Sequence, residues 1–339
     1  MDLHEYLNAH KVFKIVDNAE ITGGLKVMEQ LATFVEVVQQ NTVILDEARM
    51  ERMKSFQKEI AAIDTPTGYL YPGRATIDGQ EVKVIPGETD GVDEMSLSGF
   101  IQQNVINAKE FVLGVTIDYD TLEDTIEGPG FEERIVSMLA KSASLGLEEA
   151  FVFGDTSLGA GAPLLLKAMD GWATLAGNKV YGYTHNNNSA DFNPDGEDFP
   201  LDMFDAMMEA IDKRYLIKRN EARFYVDWKT HKAYREQLSA RETVLGDEAL
   251  LGRGQLAFDG IPVVHVPVLD DTTATEHTGR IALLSRPDNM VWGVYREITV
   301  ESDRVARKRQ VEHVLTTRAG CTYADINGAV TALITEPEP

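Results

Sequence analysis

The segment FEERIVSMLAKSASLGLEEAFVFGD, residues 131–155, decides the fold more than any other part of the chain. Gly128, Pro129 and Gly130 precede it, and two glutamates in its first turn suit the positive end of a helix dipole. Apolar and small residues recur along one stripe, which consists of Ile135, Met138, Leu139, Ser142, Gly146, Ala150 and Phe153. The pattern predicts a long helix over 131–153 that ends at Gly154 and packs closely against another element.

The stretch before this helix, from Thr65 to Phe111, has the composition of short strands separated by turn residues. Asp78-Gly79 lies between two alternating runs, 75–77 and 82–85, which is a strong signal for a β-hairpin. The flanks are too polar to form a core, and an isolated hairpin is marginally stable in water. We therefore expect this hairpin to lie on another surface, such as that of a neighbouring subunit.

The first sixty residues contain two runs of different character. After Gly23-Gly24, apolar residues recur at helical spacing and predict a helix: Leu25, Met28, Leu31, Ala32, Val35 and Val38. The run from Ile44 to Ile60 is rich in charged residues and has less of a coherent apolar face. It is compatible with a helical hairpin inside one domain and with a partly extended arm.

After the long helix, a Gly- and Asn-rich stretch runs to Pro200, and a mixture of helices and strands follows. Periodicity predicts helices over 201–215 and 228–238. It predicts strands over 224–226, 260–266, 281–284, 291–294, 298–300, 310–317 and 329–334. Because these elements show no regular βαβ alternation, the predicted fold class is α+β.

The charge balance of the chain limits its function. The 339 residues include 55 acidic and 32 basic ones, for a formal net charge of −23. Such a surface repels polyphosphate, which argues against a nucleic-acid reader but allows proximity to DNA inside a container. Cys321 is the single cysteine, so an internal disulfide is excluded, and no apolar run suits a secretion signal or a membrane span. We expect a protein made and used in the cytoplasm, without a membrane partner.

Catalytic and cofactor motifs are missing from the sequence, which lacks G-x-S-x-G, H-E-x-x-H and Walker patterns. The seven histidines are spread over separate predicted elements, and His265, on an apolar strand, is predicted to be a satisfied core residue. The loop that begins at Asp270-Asp271 is predicted to be a solvated tip and not a cation site, because it lacks calcium-loop spacing. We predict no catalytic residue, no cofactor and no metal site.

The strongest cluster of basic residues comprises Arg304, Arg307, Lys308 and Arg309. In an acidic protein, such a cluster fits contact with DNA or with an acidic neighbour. The acidic residues around it favour ion pairs with a partner subunit over DNA. The adjacent Glu148-Glu149 pair points to different sides of a helix, so these carboxyls do not form an acid/base dyad.

The order of these elements resembles the major capsid proteins of tailed bacteriophages, which have the Hong Kong 97-type fold. The resemblance rests on Glu148 to Asp155, Met169-Asp170-Gly171-Trp172, Phe258 to Pro267, Arg286 to Gly293 and Arg296 to Glu301. The stretch from Asn41 to Ile63 also resembles the N-terminal arm of some such capsids. No single stretch is diagnostic, but their combination and order cover most of the chain from about Leu25.

The resemblance implies a capsid fold with four parts. They are the N-terminal arm (1–64), the extended E-loop hairpin (65–99), the peripheral domain (100–200 and 296–339) with its spine helix (131–153), and the axial domain (201–295). The predicted contacts between subunits involve Arg74, Lys83, Glu88, Arg304, Arg307 and Arg309. Gly146 is the position where the spine helix is predicted to bend, because glycine weakens a helix interior by about 1 kcal/mol relative to alanine.

The implied function is that of a shell protein and not of an enzyme. Copies would form pentamers and hexamers of an icosahedral head that encloses double-stranded DNA, in a virion assembled in the host cytoplasm. The implied partners are a separate scaffolding protein, because little chain precedes the arm, a portal and, optionally, a decoration protein. No covalent cross-link is predicted, since the segment from Arg304 to Gln310 offers Lys83 no asparagine. Two alternatives remain: an encapsulin-like compartment shell, and a soluble enzyme with a site in the loop 154–200.

Overall fold

A computed structural model of the chain describes residues 42–63, 74–77, 80–83, 101–119, 130–159, 161–185, 189–239, 256–271, 274 and 278–335. The predicted helix over 25–38 lies outside these residues. The helices of the described part are α1 (Ile44–Glu47), α2 (Gly130–Phe153), α3 (Trp172–Leu175), α4 (Leu201–Ala210) and α5 (Trp228–Ser239). Short 3-10 turns occupy Lys213–Leu216, Arg219–Glu221, Pro267–Asp270, Pro287–Asn289 and Ile326–Gly328.

The strands of the described part fall into two larger sheets and two strand pairs. In chain order they are β1 (Arg49–Arg52), β2 (Gln57–Ile63), β3 (Arg74–Ile77), β4 (Gln80–Lys83), β5 (Ile101–Asn107), β6 (Lys109–Asp118), β7 (Asn178–Tyr181), β8 (Arg223–Val226), β9 (Ala257–Phe258), β10 (Ile261–His265), β11 (Ile281–Ser285), β12 (Met290–Val305), β13 (Gln310–Tyr323) and β14 (Ala329–Leu333).

The four-stranded sheet has the order β1-β12-β13-β6. Its centre is the antiparallel pair of β12 and β13, which are 16 and 14 residues long. The strands predicted over 291–294 and 298–300 are therefore parts of one strand, β12. The register between β12 and β13 shifts on both sides of Arg296, and such bulges bend a strand without ending it.

The six-stranded sheet has the order β7-β14-β11-β8-β10-β9 and contains both parallel and antiparallel pairs. One apolar cluster packs residues of β8, β10, β11 and β14 against α4, including Phe204 and Phe224. A second cluster joins the same sheet to α2, α3 and β13, with Phe151, Trp172 and Tyr323 fully buried. Each large buried side chain stabilises the fold by about 1.5–3 kcal/mol, so the end of α2 is anchored in this second cluster.

The two strand pairs are β2 with β5 and β3 with β4. The predicted hairpin at Asp78-Gly79 is confirmed, because β3 and β4 are antiparallel with Ile77 opposite Gln80. The run from Ile44 to Ile60 forms one helical turn followed by strand β1 and most of β2. This segment is therefore largely extended and does not form a helical hairpin.

The long predicted helix is confirmed, since α2 spans 130–153 where the sequence pattern gave 131–153. The helix predicted over 201–215 is shorter than expected and ends at Ala210. Ile211 takes an extended conformation (φ −80, ψ 145) and is 4% exposed, and Asp212 then accepts a hydrogen bond from the Arg214 amide in a new 3-10 turn. Burial of Ile211 thus prevails over the local helical periodicity.

Candidate assembly surfaces

The β3–β4 hairpin is the first candidate surface. Among the described residues, no third strand pairs with either of its strands. Arg74 and Lys83, two of the predicted contact residues, lie opposite each other in its register. Glu88, the third residue predicted in this segment, lies outside the described residues. Because a two-stranded hairpin is only marginally stable alone, this one requires a surface to rest on.

The turn between β12 and β13 is the second candidate surface, and it carries the predicted arginine cluster. Arg304 is near the end of β12 opposite Val311, while Arg307 and Arg309 lie in or next to the turn, and all three are exposed. Arg309 has a φ of 53, and its carbonyl accepts a hydrogen bond of 2.8 Å from the Tyr119 amide. The fold therefore brings these arginines together at one end of the four-stranded sheet, on a different sheet from Arg74 and Lys83.

The exit of α2 is a tight crossing of two backbone segments. A Cβ atom at Gly154 would lie 2.4 Å from the carbonyl oxygens of both Ala150 and Met169, so only glycine fits there. The Gly171 amide donates a hydrogen bond of 2.8 Å to the Gly154 carbonyl. Trp172 then buries its ring completely and donates through Nε1 to the Thr322 carbonyl at 3.1 Å. The Gly-Asp and Asp-Gly-Trp motifs thus fasten the helix end to β13.

Glu148, near the end of α2, holds the start of α1. Its Oε1 accepts hydrogen bonds from the backbone amides of Val43, Ile44 and Leu45 at 2.9, 2.6 and 3.4 Å. The side chain is fully buried. Burial raises the pKa of Glu148, and the three amide donors oppose this rise by favouring the charged form. An acidic pair near the end of a helix was visible in the sequence, but its partners about 100 residues away were not.

The other end of α1 is attached to the six-stranded sheet. The Glu47 carboxylate accepts hydrogen bonds from Arg223 Nε at 3.1 Å and from the Tyr225 hydroxyl at 2.8 Å. Both partners belong to β8. Since Ile44 and Leu45 are buried between these two attachments, α1 connects the long helix to the six-stranded sheet through polar bonds at both ends.

Glu149, next to Glu148, has a different environment. It is half-buried, and burial followed by the negative charge of Asp271 raises its pKa to about 7. Asp271 follows the 3-10 turn at 267–270. The two adjacent carboxyls therefore face different parts of the fold, one towards α1 and one towards the loop after β10.

Gly146 lies within continuous α2, two residues before this acidic pair. Among the residues that the structure describes, a Cβ atom there would meet only Leu165 Cδ2, at the ordinary contact distance of 3.9 Å. Packing alone therefore does not require glycine at this position. Its role as a bending point stays a prediction.

His265 has a hydrogen-bond partner, as predicted, but the prediction that it lies in the core is wrong. Its side chain is 28% exposed, and Nε2 lies 2.6 Å from the Asp270 carboxylate. Strand alternation places His265 on the same face of β10 as the buried Ile261 and Val263, but at the end of the strand, where it is only partly covered. Asp270 also accepts a hydrogen bond from the Trp228 amide at 2.7 Å, so it supports the start of α5 within the same chain.

Across the described ranges, no group of three or more His, Cys, Asp and Glu side chains is placed to hold a metal ion.

The loop 154–200 is the alternative location of an enzyme site. In the part of it that the structure describes, several side chains pack into the apolar cores. Leu166, Trp172 and Phe192 are buried in the two cores. Asp170 accepts hydrogen bonds from the Thr156 amide and hydroxyl at 2.9 and 2.8 Å, within the same loop. No helix of the described part is long and apolar enough to cross a membrane.

Solved structures of viral shells share this architecture. The chain of a satellite phage P4 procapsid that includes the size determination (Sid) protein has a TM-score of 0.59 and 13% identity, with 96% of this chain and 100% of that one covered. The capsid of a native GTA particle has a TM-score of 0.57 and 17% identity, with 96% of this chain and 100% of that one covered. A structure of Mycobacterium phage Che8 has a TM-score of 0.56 and 15% identity, with 88% of this chain and 94% of that one covered. The predicted α+β capsid fold is confirmed.

A relative in Bacillus subtilis (strain 168), YqbE, is named as a prophage capsid protein. It is 28% identical over 329 residues, which are 92% of this chain and 95% of the relative. The resemblance to phage capsid proteins inferred from the sequence is confirmed by this relative and by the solved capsids. No protein-family model matches the sequence.

Proposed function

We propose that this chain is a major capsid protein, whose copies assemble into pentamers and hexamers of an icosahedral head around double-stranded DNA. The observation that carries the proposal is the end-to-end match to a relative named as a prophage capsid protein. The capsid fold over nearly the whole chain supports it. A shell role also fits an acidic chain, since a container gains by not adhering to its packaged DNA.

The domain division stays part of this proposal. The arm, E-loop, peripheral and axial segments have the boundaries 1–64, 65–99, 100–200 with 296–339, and 201–295, except at two strands. Strand pairing suggests one refinement, because β7 and β14 lie in the six-stranded sheet beside strands of residues 201–295. We assign these two strands to the axial domain.

The proposed contacts between subunits are Arg74, Lys83 and Glu88 in the E-loop and Arg304, Arg307 and Arg309 at the β12–β13 turn. The β3–β4 hairpin, which pairs with no third strand among the described residues, supports the first set, and the exposure of the arginines supports the second. A repeated contact between different surfaces that closes on itself produces rings. Such contacts would give pentamers and hexamers without a catalytic site or a cofactor.

The further partners in this proposal are a separate scaffolding protein, a portal and, optionally, a decoration protein, with DNA held by proximity and no membrane involved. Assembly takes place in the host cytoplasm and the product is the virion. We also propose that mature shells lack a covalent bond between subunits. A ladder of higher masses on denaturing gels of mature shells would contradict this last point.

The first experiment is negative-stain electron microscopy of the purified chain, alone and with its candidate scaffold, together with light scattering for particle mass. Uniform icosahedral particles or capsomer rings are expected. Persistent monomers under both conditions would refute the shell function. Particles that contain an enzyme in place of DNA would indicate a compartment shell instead.

Deletion of 68–87 tests the hairpin separately. We expect folded subunits that fail to close shells, because the deletion removes β3 and β4 but no strand of the two larger sheets. Circular dichroism and thermal unfolding of the subunit check its folding. Normal shells from this deletion would exclude the E-loop assignment.

A further inference from the structure

A groove of about 750 Å³ lies where α1 and β1 meet α2 and the strands β12 and β13. Most of the side chains that line it are apolar, and two of them are well exposed: Met50 at 51% and Ile298 at 39%. Exposed apolar side chains that share a concave surface are typical of a binding site. We call this surface the α2 groove. A cavity of this size holds a drug-sized molecule, so it has room for several side chains of another segment.

The described part of the chain begins beside the α2 groove. Glu148 accepts hydrogen bonds from the amides of Val43 and Ile44 at 2.9 and 2.6 Å, which fixes the backbone there against α2. Leu45, which follows Ile44, and Leu147, which precedes Glu148, both line the groove. The chain that comes before residue 43 therefore starts next to this surface.

The sequence before this point predicts a helix over 25–38 with one apolar stripe. Leu31, Val35 and Val38 lie on its last two turns, and their i, i+4 and i+7 spacing is the one by which a helix enters a groove. The four residues 39–42 span about 14 Å at most, so these turns can reach the groove of the same copy. Because an isolated helix of about 14 residues is marginal in water, this one requires a surface to pack on.

We infer that the α2 groove receives the apolar stripe of segment 25–38 from the same copy of the chain. The side chains of its last two turns cover Met50 and Ile298, while its polar face, which carries Gln30 and Thr33, is left to solvent. The short connection to residue 42 keeps this segment at a high effective concentration beside its own groove, so it competes well against the same segment of a second copy. The inference concerns the single subunit and does not rest on the proposed function.

Hydrogen exchange of the unassembled subunit, followed by mass spectrometry, tests the inference. The amides of 29–38 should exchange roughly tenfold or more slowly than those of a free peptide of the same sequence, because a docked helix protects its hydrogen bonds. The measurement is made at a concentration where light scattering finds single subunits only. Contacts with a second copy then do not contribute to the protection.

Charges on the stripe should remove this protection. The double variant Leu31→Glu with Val35→Glu places two carboxylates on the face that enters the groove, and the exchange of 29–38 should return to the rate of the free peptide. The matched control, Gln30→Glu with Thr33→Glu, places the same charges on the opposite face of the predicted helix. The control should keep the protection.

A charge in the groove should have the same effect without any change in the segment itself. Ile298→Glu places a carboxylate among the lining residues and should also release 29–38. Its control is Val314→Glu, at a residue of β13 that is exposed to a similar extent, 37% against 39%, and does not line the groove. Thermal unfolding of each variant establishes that the rest of the subunit folds.

Three results would overturn the inference. One is exchange of 29–38 at the rate of the free peptide in the wild-type subunit. Another is protection that survives Ile298→Glu, since the helix would then lie on a different surface. The third is protection that appears only in assembled particles, because a neighbouring copy would then fill the groove. None of these measurements requires shells, so a chain that never forms particles refutes the proposed function and leaves this inference standing.

Discussion

Replacing Glu149 by glutamine should change how the stability of the subunit depends on pH. Glu149 is half-buried on α2, and burial and the nearby charge of Asp271 raise its pKa to about 7 from the ordinary value of 4.5. Because the folded protein holds this proton more tightly than the unfolded chain, the free energy of unfolding falls as pH rises from about 4.5 to above 7. Glutamine has a similar shape and does not ionise, so it removes this dependence.

The expected size follows from the two pKa values. A shift of one pKa unit corresponds to about 1.4 kcal/mol. The rise in the pKa of Glu149 from 4.5 to about 7 therefore corresponds to roughly 3 kcal/mol of stability. Water that reaches a half-buried carboxyl reduces this amount, and we expect about 2–3 kcal/mol. Glu149→Gln should therefore be more stable than the wild type by about that much at pH 8.5, and nearly equal to it at pH 4.5.

The assay is urea unfolding of the unassembled subunit at several pH values between 4.5 and 8.5, with the difference between variant and wild type taken at each pH. This difference cancels the titration of every other group, including Glu148. Glu197→Gln, at an exposed glutamate, serves as the control and should give a difference near zero throughout. A difference for Glu149→Gln that does not change with pH would refute the reasoning.

Three further substitutions have expected outcomes. Glu148→Ala should lower the free energy of unfolding by about 2–3 kcal/mol, measured in urea, since it leaves the amides of Val43 and of the first two residues of α1 without their acceptor. Gly146→Ala should stabilise the subunit by about 1 kcal/mol, because its Cβ has room beside Leu165; if α2 bends there, shell expansion followed by light scattering should also slow. Gly154→Ala should cost about 3 kcal/mol and lower the unfolding temperature, because its Cβ would lie 2.4 Å from two carbonyl oxygens.

The elements that could be predicted from the sequence are those set by local patterns. The long helix over 131–153 has a stripe of apolar and small residues and a glycine at its end, and the hairpin has Asp78-Gly79 between alternating runs. Both signals arise within a few residues, so no knowledge of the tertiary structure is needed. The element order then carried the resemblance to capsid proteins.

The features that could not be predicted depend on distant residues. The end of α4 at Ala210 is set by the burial of Ile211, and the partners of Glu148 lie in the segment 43–45. The segment from Lys213 to Arg219 is another example, because the sequence shows its four cations but not the exposure of Ile217 between them. The spacing of apolar residues and the number of charges can be read from a segment by itself. The exposure of its side chains cannot, because it depends on the residues that pack around the segment.

The two glutamates near the end of α2 lower the stability of the fold through desolvation, because their carboxyls are buried or half-buried. A buried carboxylate is unfavourable unless it is well paired, yet Glu148 is fully buried and Glu149 is half-buried beside another acid. An apolar residue at 149 would remove the penalty at neutral pH, so stability alone does not account for a glutamate there. One of these carboxyls holds α1, which is bonded in turn to β8 of the six-stranded sheet, and the other faces the loop after β10 of the same sheet. We therefore expect this junction, in addition to Gly146, to yield when subunits change their relative orientation in a shell.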